Sequence, residues 1–269
     1  MMKRALPVFL LLVSGAVALP AAAPQQGGDD WCRSERSYNR DRESVCDVRP
    51  FTVAAAGTLS VNAEPNGGIE VLGGARSDIQ VLAKVVAQAD TQARAKQIAD
   101  AVRINATASD VSATGPTGLD RRENWSVSYR LSVPTVSMLS LRTTNGGIVV
   151  RDVDGTVEFR TVNGGVKLAN LGGDVKGRTS NGGVDVDLEG PGWRGEGLNV
   201  ETNNGGVHLR IPDGYSARLE TGTINGGVNS DFPLTVQGRV DREINATLGS
   251  GGAPIRVRTQ NGGVKISKK

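Results

Sequence analysis

The chain is short of the residues that large cores and active sites draw on. Aromatic side chains make up 4% of its 269 residues, there is one histidine (His208), and there are two cysteines. So few aromatics argue against a large globular core. One histidine excludes a histidine-rich metal centre and gives no footing for a Ser/His/Asp arrangement. Cys32 and Cys46 are too far apart for a Cys-x-x-Cys redox motif; in an oxidising compartment two nearby cysteines form one structural disulfide. No apolar run is long enough to span a bilayer. Without Lys3 and Arg4, which fall in the leader described below, 29 basic side chains stand against 28 acidic ones. A surface so near neutrality predicts no nucleic-acid partner.

What is abundant is glycine, 36 residues of it, and much of it sits in one motif. Asn-Gly-Gly followed by a β-branched residue occurs at Asn66, Asn145, Asn163, Asn181, Asn204, Asn225 and Asn261. The intervals from Asn145 onward are 18, 18, 23, 21 and 36 residues. The last is twice 18, which predicts a turn there that has lost its signature.

The similarity extends beyond the turn. Six residues before the Asn stand Leu139, Val157, Val175, Leu198, Leu219 and Ile255. Two before it, Thr143, Thr161, Thr179, Thr202, Thr223 and Thr259 form a threonine column. Three after it comes a β-branched residue, from Ile148 to Val264. These offsets share one parity on each side of the turn, the period-two pattern of strands with one buried face. Fixed-period repetition of that kind marks stacked or arrayed units.

The fold class predicted is all-β: a β-solenoid, parallel-β-helix-like, of about 18-residue coils joined by Asn-Gly-Gly turns, with one short N-terminal helix. Chemical identity at every turn favours stacking, because stacked coils place equal residues above one another. An antiparallel β-sandwich or meander is the alternative, since Asn-Gly between alternating strands is also a strong hairpin signal. In either case the Asn and Gly suit a left-handed turn, and the Thr hydroxyl suits a backbone group exposed beside it. The seven asparagines are expected to be architectural.

Residues 1–23 have the form of a secretory signal: Lys3 and Arg4, an apolar run from Leu6 to Val17, and small residues at Ala16-Val17-Ala18. The mature chain is therefore expected to be exported, to the periplasm or the cell surface, with no transmembrane segment. Residues 24–50 are expected to be a polar, loop-like segment carrying the cysteine pair. Residues 51–135 form an N-terminal β region whose helix, 90–103, has Asp90 as its cap and an apolar stripe of Ala95, Ile98, Ala99 and Val102. That stripe suits a lid over the end of the array. Residues 104–122 are expected to be a loop, and 136–267 the regular array.

The Thr-x-Asn-Gly-Gly-Val units, the exported N-terminus and Val133-Pro134 before the first regular turn resemble a bacterial β-strand-repeat family labelled as adhesins and otherwise a domain of unknown function. The resemblance covers about residues 48–267. It implies a solenoid-like fold in the cell envelope and supplies no catalytic residues.

Among the residues themselves, no catalytic, cofactor-binding or metal-ligating set emerges. Asp185 and Asp187 are the best carboxylate pair, but the equivalent positions one unit earlier are Lys167 and Ala169, so no acidic column forms. Gly190-Pro191-Gly192-Trp193-Arg194-Gly195 matches a dinucleotide fingerprint in letters, yet no helix follows it. One column exceeds scaffolding: Arg142, Arg160 and Arg178, three residues before the Asn, form a candidate ligand-binding ladder for an acidic envelope polymer. The competing reading is a solvated face partnered by Glu158 and Glu201. Function is expected to be that of a non-enzymatic envelope adhesion, scaffold or binding module whose partner is an envelope polysaccharide or another envelope protein. The alternative is a β-helix carbohydrate-active enzyme with its site on the insertion around Trp193.

Overall fold

The Asn-Gly-Gly turns pass the chain from one β-sheet to another; they do not fold a strand back on its neighbour. The computed structural model describes residues 31–32, 41–231 and 242–269. In chain order its first elements are β1 (Glu43–Ala54), β2 (Thr58–Asn62), β3 (Ile69–Gly74), β4 (Asp78–Ala89), α1 (Gln92–Ala101), β5 (Arg103–Ala106), β6 (Asp110–Thr114) and β7 (Asn124–Pro134). The repeats follow as β8 (Met138–Arg142), β9 (Ile148–Arg151), β10 (Asp154–Asn163), β11 (Val166–Ala169), β12 (Gly172–Asn181), β13 (Val184–Asp187), β14 (Gly197–Asn204) and β15 (Val207–Ile211). The last are β16 (Ala217–Asn225), β17 (Val228–Ser230), β18 (Glu243–Leu248), β19 (Pro254–Asn261) and β20 (Val264–Lys268). The fold is all-β with one helix among the described residues.

Two ten-stranded sheets result: sheet A, β1-β4-β7-β3-β9-β11-β13-β15-β20-β17, and sheet B, β18-β16-β19-β14-β12-β10-β8-β2-β6-β5. The strand before each regular turn lies in sheet B and the strand after it in sheet A. Between repeats the pairing is parallel. Val157 is in register with Leu139 on one side and Val175 on the other, and Val166 with Ile148 and Val184. In-register parallel pairing turns equal offsets into columns, so one aliphatic residue per position buries the whole column. Leu139, Val157, Val175, Leu198, Ile255 and Leu219 are all buried. The inner column that begins Leu141, Phe159, Gly177 varies in size. A Cβ on Gly177 would stand 2.5 Å from the Phe159 ring, so one large and one absent side chain share the space.

The order of strands in space departs from their order in the chain at one place. β19 and β20 lie between β14/β15 and β16/β17. The C-terminal repeat is thus an interior rung. Among the described residues of the 36-residue interval between Asn225 and Asn261 there is no coil with an altered turn: β18 pairs antiparallel with β16. A length of twice 18 was a coincidence of spacing.

Antiparallel pairing is confined to the flanks: β1 with β4, β4 with β7, β5 with β6, and β16 with β18. Leu59 and Val61 stand at odd offsets before Asn66, out of step with the later units, and the cause is simple. Asn62 is in register with Arg142 and Asn66 with Asn145, so one extra residue sits at Glu64-Pro65, whose peptide is cis. Three local expectations need correcting. Part of the segment expected to be polar and loop-like is the start of β1, and 104–122 contains most of β5 and all of β6. The helix is capped by Thr91, whose hydroxyl accepts from Arg94 N at 3.2 Å, while Asp90 pairs with Arg122. Thr91 has the extended backbone an N-cap needs. The helix buries Ala95, Ile98 and Ala99 and packs against β1 and β4. Residues 1–23, read as a leader, lie outside the described residues.

Candidate functional site

Each Asn-Gly-Gly turn is held by three kinds of contact to the turns above and below it. The Asn side chains form a chain of amides: Asn145 Nδ2 donates to Asn66 Oδ1 at 2.8 Å, Asn163 to Asn145 and Asn181 to Asn163 at 2.8 Å, and Asn204 to Asn181 at 2.9 Å. It continues in spatial order, Asn261 to Asn204 at 2.9 Å and Asn225 to Asn261 at 2.8 Å. The buried Thr hydroxyls donate to the first-glycine carbonyl of the neighbouring turn, for example Thr179 Oγ1 to Gly164 O at 2.8 Å and Thr259 Oγ1 to Gly205 O at 2.8 Å. Backbone bonds complete the rung, as in Gly164 N to Asn181 O at 3.0 Å.

The role expected of the turn residues changes here. None of the seven asparagines has a positive φ, and among the first glycines only Gly262 does. Glycine is required by approach, since a Cβ on Gly164 would overlap the Gly146 carbonyl. The left-handed positions lie at Asp152, Gly155, Asn170 and Gly173, in the second turn of the unit.

The outer faces differ in how they treat charge. On sheet A, Asp185 and Asp187 do not converge on a common point of chemistry. Arg210 pairs with Asp187, its second nitrogen donating to Oδ2 at 2.6 Å, and this hydrogen bond holds the Asp187 carboxyl below the usual range. His208 Nε2 lies 2.9 Å from Ser267 Oγ, and its Nδ1 lies 3.1 Å from Arg210 Nη1 and 3.7 Å from Asp185 Oδ1. That is the composition of a Ser/His/Asp set, brought together by columns whose members are distant in sequence. The geometry is not that of a triad: the Arg210 guanidinium stands at Nδ1 where the orienting carboxylate would be, and Asp185 lies beyond hydrogen-bond reach.

On sheet B the three predicted arginines come together as expected from their spacing: Arg160 is in register with Arg142 and Arg178. They are exposed along a groove of about 580 Å³. Among the described residues their side chains make no hydrogen bond or ion pair. Glu158 and Glu201 line the same groove but do not close on them. The column then changes sign, because Arg178 is followed in register by Glu201 and Glu201 by Arg258. Beyond it the charges are paired, with Arg256 2.7 Å from Glu220 and Arg218 3.7 Å from it.

The insertion proposed for an enzyme site is fastened to the two preceding repeats. Trp193 Nε1 donates to Gly173 O at 3.0 Å and Arg194 Nε to Asp154 Oδ2 at 3.0 Å. Cys32 and Cys46 form a disulfide across 14 residues, with Cα atoms 5.7 Å apart. It brings Trp31 over sheet A, where Arg130 and Lys84 lie 4.1 and 5.0 Å from the ring. This cation–π arrangement was missed from the sequence, because nothing local links residue 31 to β4 and β7. Among the described residues no group of three or more His, Cys, Asp or Glu could hold a metal ion, and no helix is long and apolar enough to cross a membrane.

Residues 57–267 match the family model described as Toastrack DUF4097, and the chain belongs to that family. This is the unknown-function family that the turn motif resembles. Solved structures similar to the chain include a candidate cell adhesion protein from Clostridium sporogenes ATCC 15579 (14% identity, 84% of this chain and 100% of that one, TM-score 0.45). A candidate adhesin from Bacteroides fragilis NCTC 9343 (9%, 84% and 97%, TM-score 0.38) and a candidate lipid-binding protein from Parabacteroides distasonis ATCC 8503 (12%, 83% and 96%, TM-score 0.38) are also similar. At these TM-scores the likenesses carry no argument about ligand or activity. No protein of curated function matches the chain.

Proposed function

We propose that the chain is an exported, non-enzymatic cell-envelope protein, a binding or adhesion module presented on a rigid β-solenoid. The observation that carries the reading is the stacking of identical rungs. Asn, Thr and Gly are consumed in holding one repeat on the next, which leaves outward positions free to vary and fixes whatever stands there in straight columns. Such a surface suits an extended partner: an envelope polysaccharide or another envelope protein. The leader-like N-terminus and the Cys32–Cys46 disulfide support export, to the periplasm or the cell surface, because disulfides persist in oxidising compartments. The polysaccharide-cleaving alternative loses support from the pairing of Asp187 with Arg210 and from the guanidinium that stands at His208 Nδ1 in place of a carboxylate.

The test is capture from solubilised envelope of the source organism by the purified, immobilised chain. Saturable retention of a defined glycan or protein, with no change in its chain length, is the expected result. Shortening of an acidic polysaccharide that disappears in Asp185→Asn/Asp187→Asn would overturn the reading in favour of an enzyme. Failure to retain anything would remove the binding role.

A further inference from the structure

Among the described residues the arginine column is the one outward feature in which like charges stand in register without partners, and its chemistry narrows what it can hold. We infer that Arg142, Arg160 and Arg178 form a binding site for a linear acidic polysaccharide, a uronate-type chain lying across the strands along the stacking direction. The inference rests on the binding reading above and specifies its ligand.

The argument begins with spacing. Strands in a sheet stand about 4.8 Å apart, so three rungs carry three guanidiniums over roughly 10 Å. That step is comparable to the length of one pyranose residue, and each planar guanidinium can take a carboxylate through two parallel hydrogen bonds. The guanidiniums are exposed and make no hydrogen bond or ion pair among the described residues. No internal pair must therefore be broken on binding. Holding like charges in register is unfavourable in itself, and a polyanion relieves the repulsion.

The rest of the groove decides which polyanion. Glu64, Glu158 and Glu201 line it together with the arginines. Carboxylates accept hydrogen bonds from sugar hydroxyls, which every uronate residue carries beside its own carboxylate and a polyphosphate lacks. The Glu201 that follows Arg178 in register ends the cationic run after three rungs. Asn199, beside it in the groove, has a buried Oδ1 with no hydrogen-bond partner. A chain with spaced carboxylates and hydroxyls between them meets these groups in turn. Polyphosphate meets the three glutamates with denser charge and no hydroxyl to offer them.

The experiment is calorimetric titration of the purified chain with oligogalacturonate of defined length, with a neutral glucan and polyphosphate as comparison ligands. Arg142→Gln/Arg160→Gln/Arg178→Gln removes the ladder, and Arg151→Gln/Lys167→Gln/Lys265→Gln on sheet A serves as the charge-matched control. The expected result is loss of oligogalacturonate affinity by at least about tenfold in the triple variant, since charge-assisted bidentate pairs are lost. The sheet A control should bind as the parent does, and all three proteins should melt alike. Equal affinity in the triple variant overturns the site, and tighter binding of polyphosphate overturns the ligand class. If oligogalacturonate is not bound while envelope capture persists, the inference fails and the binding reading stands. If both fail, the binding reading itself is wrong.

Discussion

The central repeats and the N-terminal flank are both β-structure, but they are held by different logic. From β8 to β15, and through the inserted β19 and β20, one set of contacts recurs at every step: Asn amide to Asn amide, Thr hydroxyl to glycine carbonyl, aliphatic on aliphatic. Around β1, β4, β7 and α1 no contact recurs. Trp31 lies over Arg130 and Lys84, and Arg94 pairs with Glu123 at 2.7 Å. Arg49 reaches the C-terminal end of α1, donating to Val102 O at 2.7 Å and Ala99 O at 2.9 Å. A repeated contact tolerates no local change of shape, because each rung is the template for the next. The flank is an assembly of single contacts, and a defect there should stay local.

The sharpest way to break that contrast is to add one methyl group to a central turn. Gly164→Ala places a Cβ against the Gly146 carbonyl, which is main chain and cannot rotate away. Overpacking of this kind costs about 3 kcal/mol or more, and the turns on both sides should separate. Gly165→Ala, one residue on, meets Gly183 O at 3.5 Å, an ordinary contact, and should cost about 1 kcal/mol or less. Thermal melting with hydrogen exchange across 145–183 would read both. Similar losses in the two variants would mean that turn conformation, and not approach, is what selects glycine. In the flank, Arg49→Gln removes a guanidinium from two helix carbonyls and should cost about 1–3 kcal/mol, seen as faster exchange in α1 alone. Faster exchange in the central turns as well would show that the flank and the array unfold as one unit.

The same contrast explains what could be read before the structure. Columns at equal offsets were legible, because in-register stacking turns a sequence period directly into spatial neighbours, and Arg142, Arg160 and Arg178 stand together for that reason. Whether their charges were paired was not legible, since it depends on rotamers. The position of β19 and β20 was hidden by the repeat itself. Asn204, Asn225 and Asn261 carry equivalent units, so the chain contains no local mark of which follows which in space. His208 and Ser267 meet only because of that insertion. The pairings of the antiparallel flank were not legible, because partners such as Cys46 and Val86 leave no period in the sequence. The turn glycines were recognised for the wrong property: a left-handed backbone and a close carbonyl approach both select glycine, and only coordinates separate them.

The inserted rung also offers the mildest test of the comparison, through pH. Glu220 on β16 takes a hydrogen bond from Arg256 Nε on β19 at 2.7 Å. This bond, ahead of the opposing effect of burial, holds its carboxyl below the ordinary 4.5. A carboxyl with a depressed folded value contributes stability that is fully present above the unfolded value. The contribution fades as pH falls from about 4.5 through the folded value. Glu220→Gln keeps the shape and an acceptor but cannot titrate. Melting temperature should therefore fall less steeply on the acid side of 4.5 in the variant than in the parent, with little difference at neutral pH. The pair joins the inserted strand to the strand it displaced from sequence order, so its loss should appear first as exchange in β16 and β18, outboard of the insertion. Parallel acid profiles for parent and variant would show that Glu220 does not hold the outer rung, and that the rung depends on the Asn and Thr contacts it shares with every other.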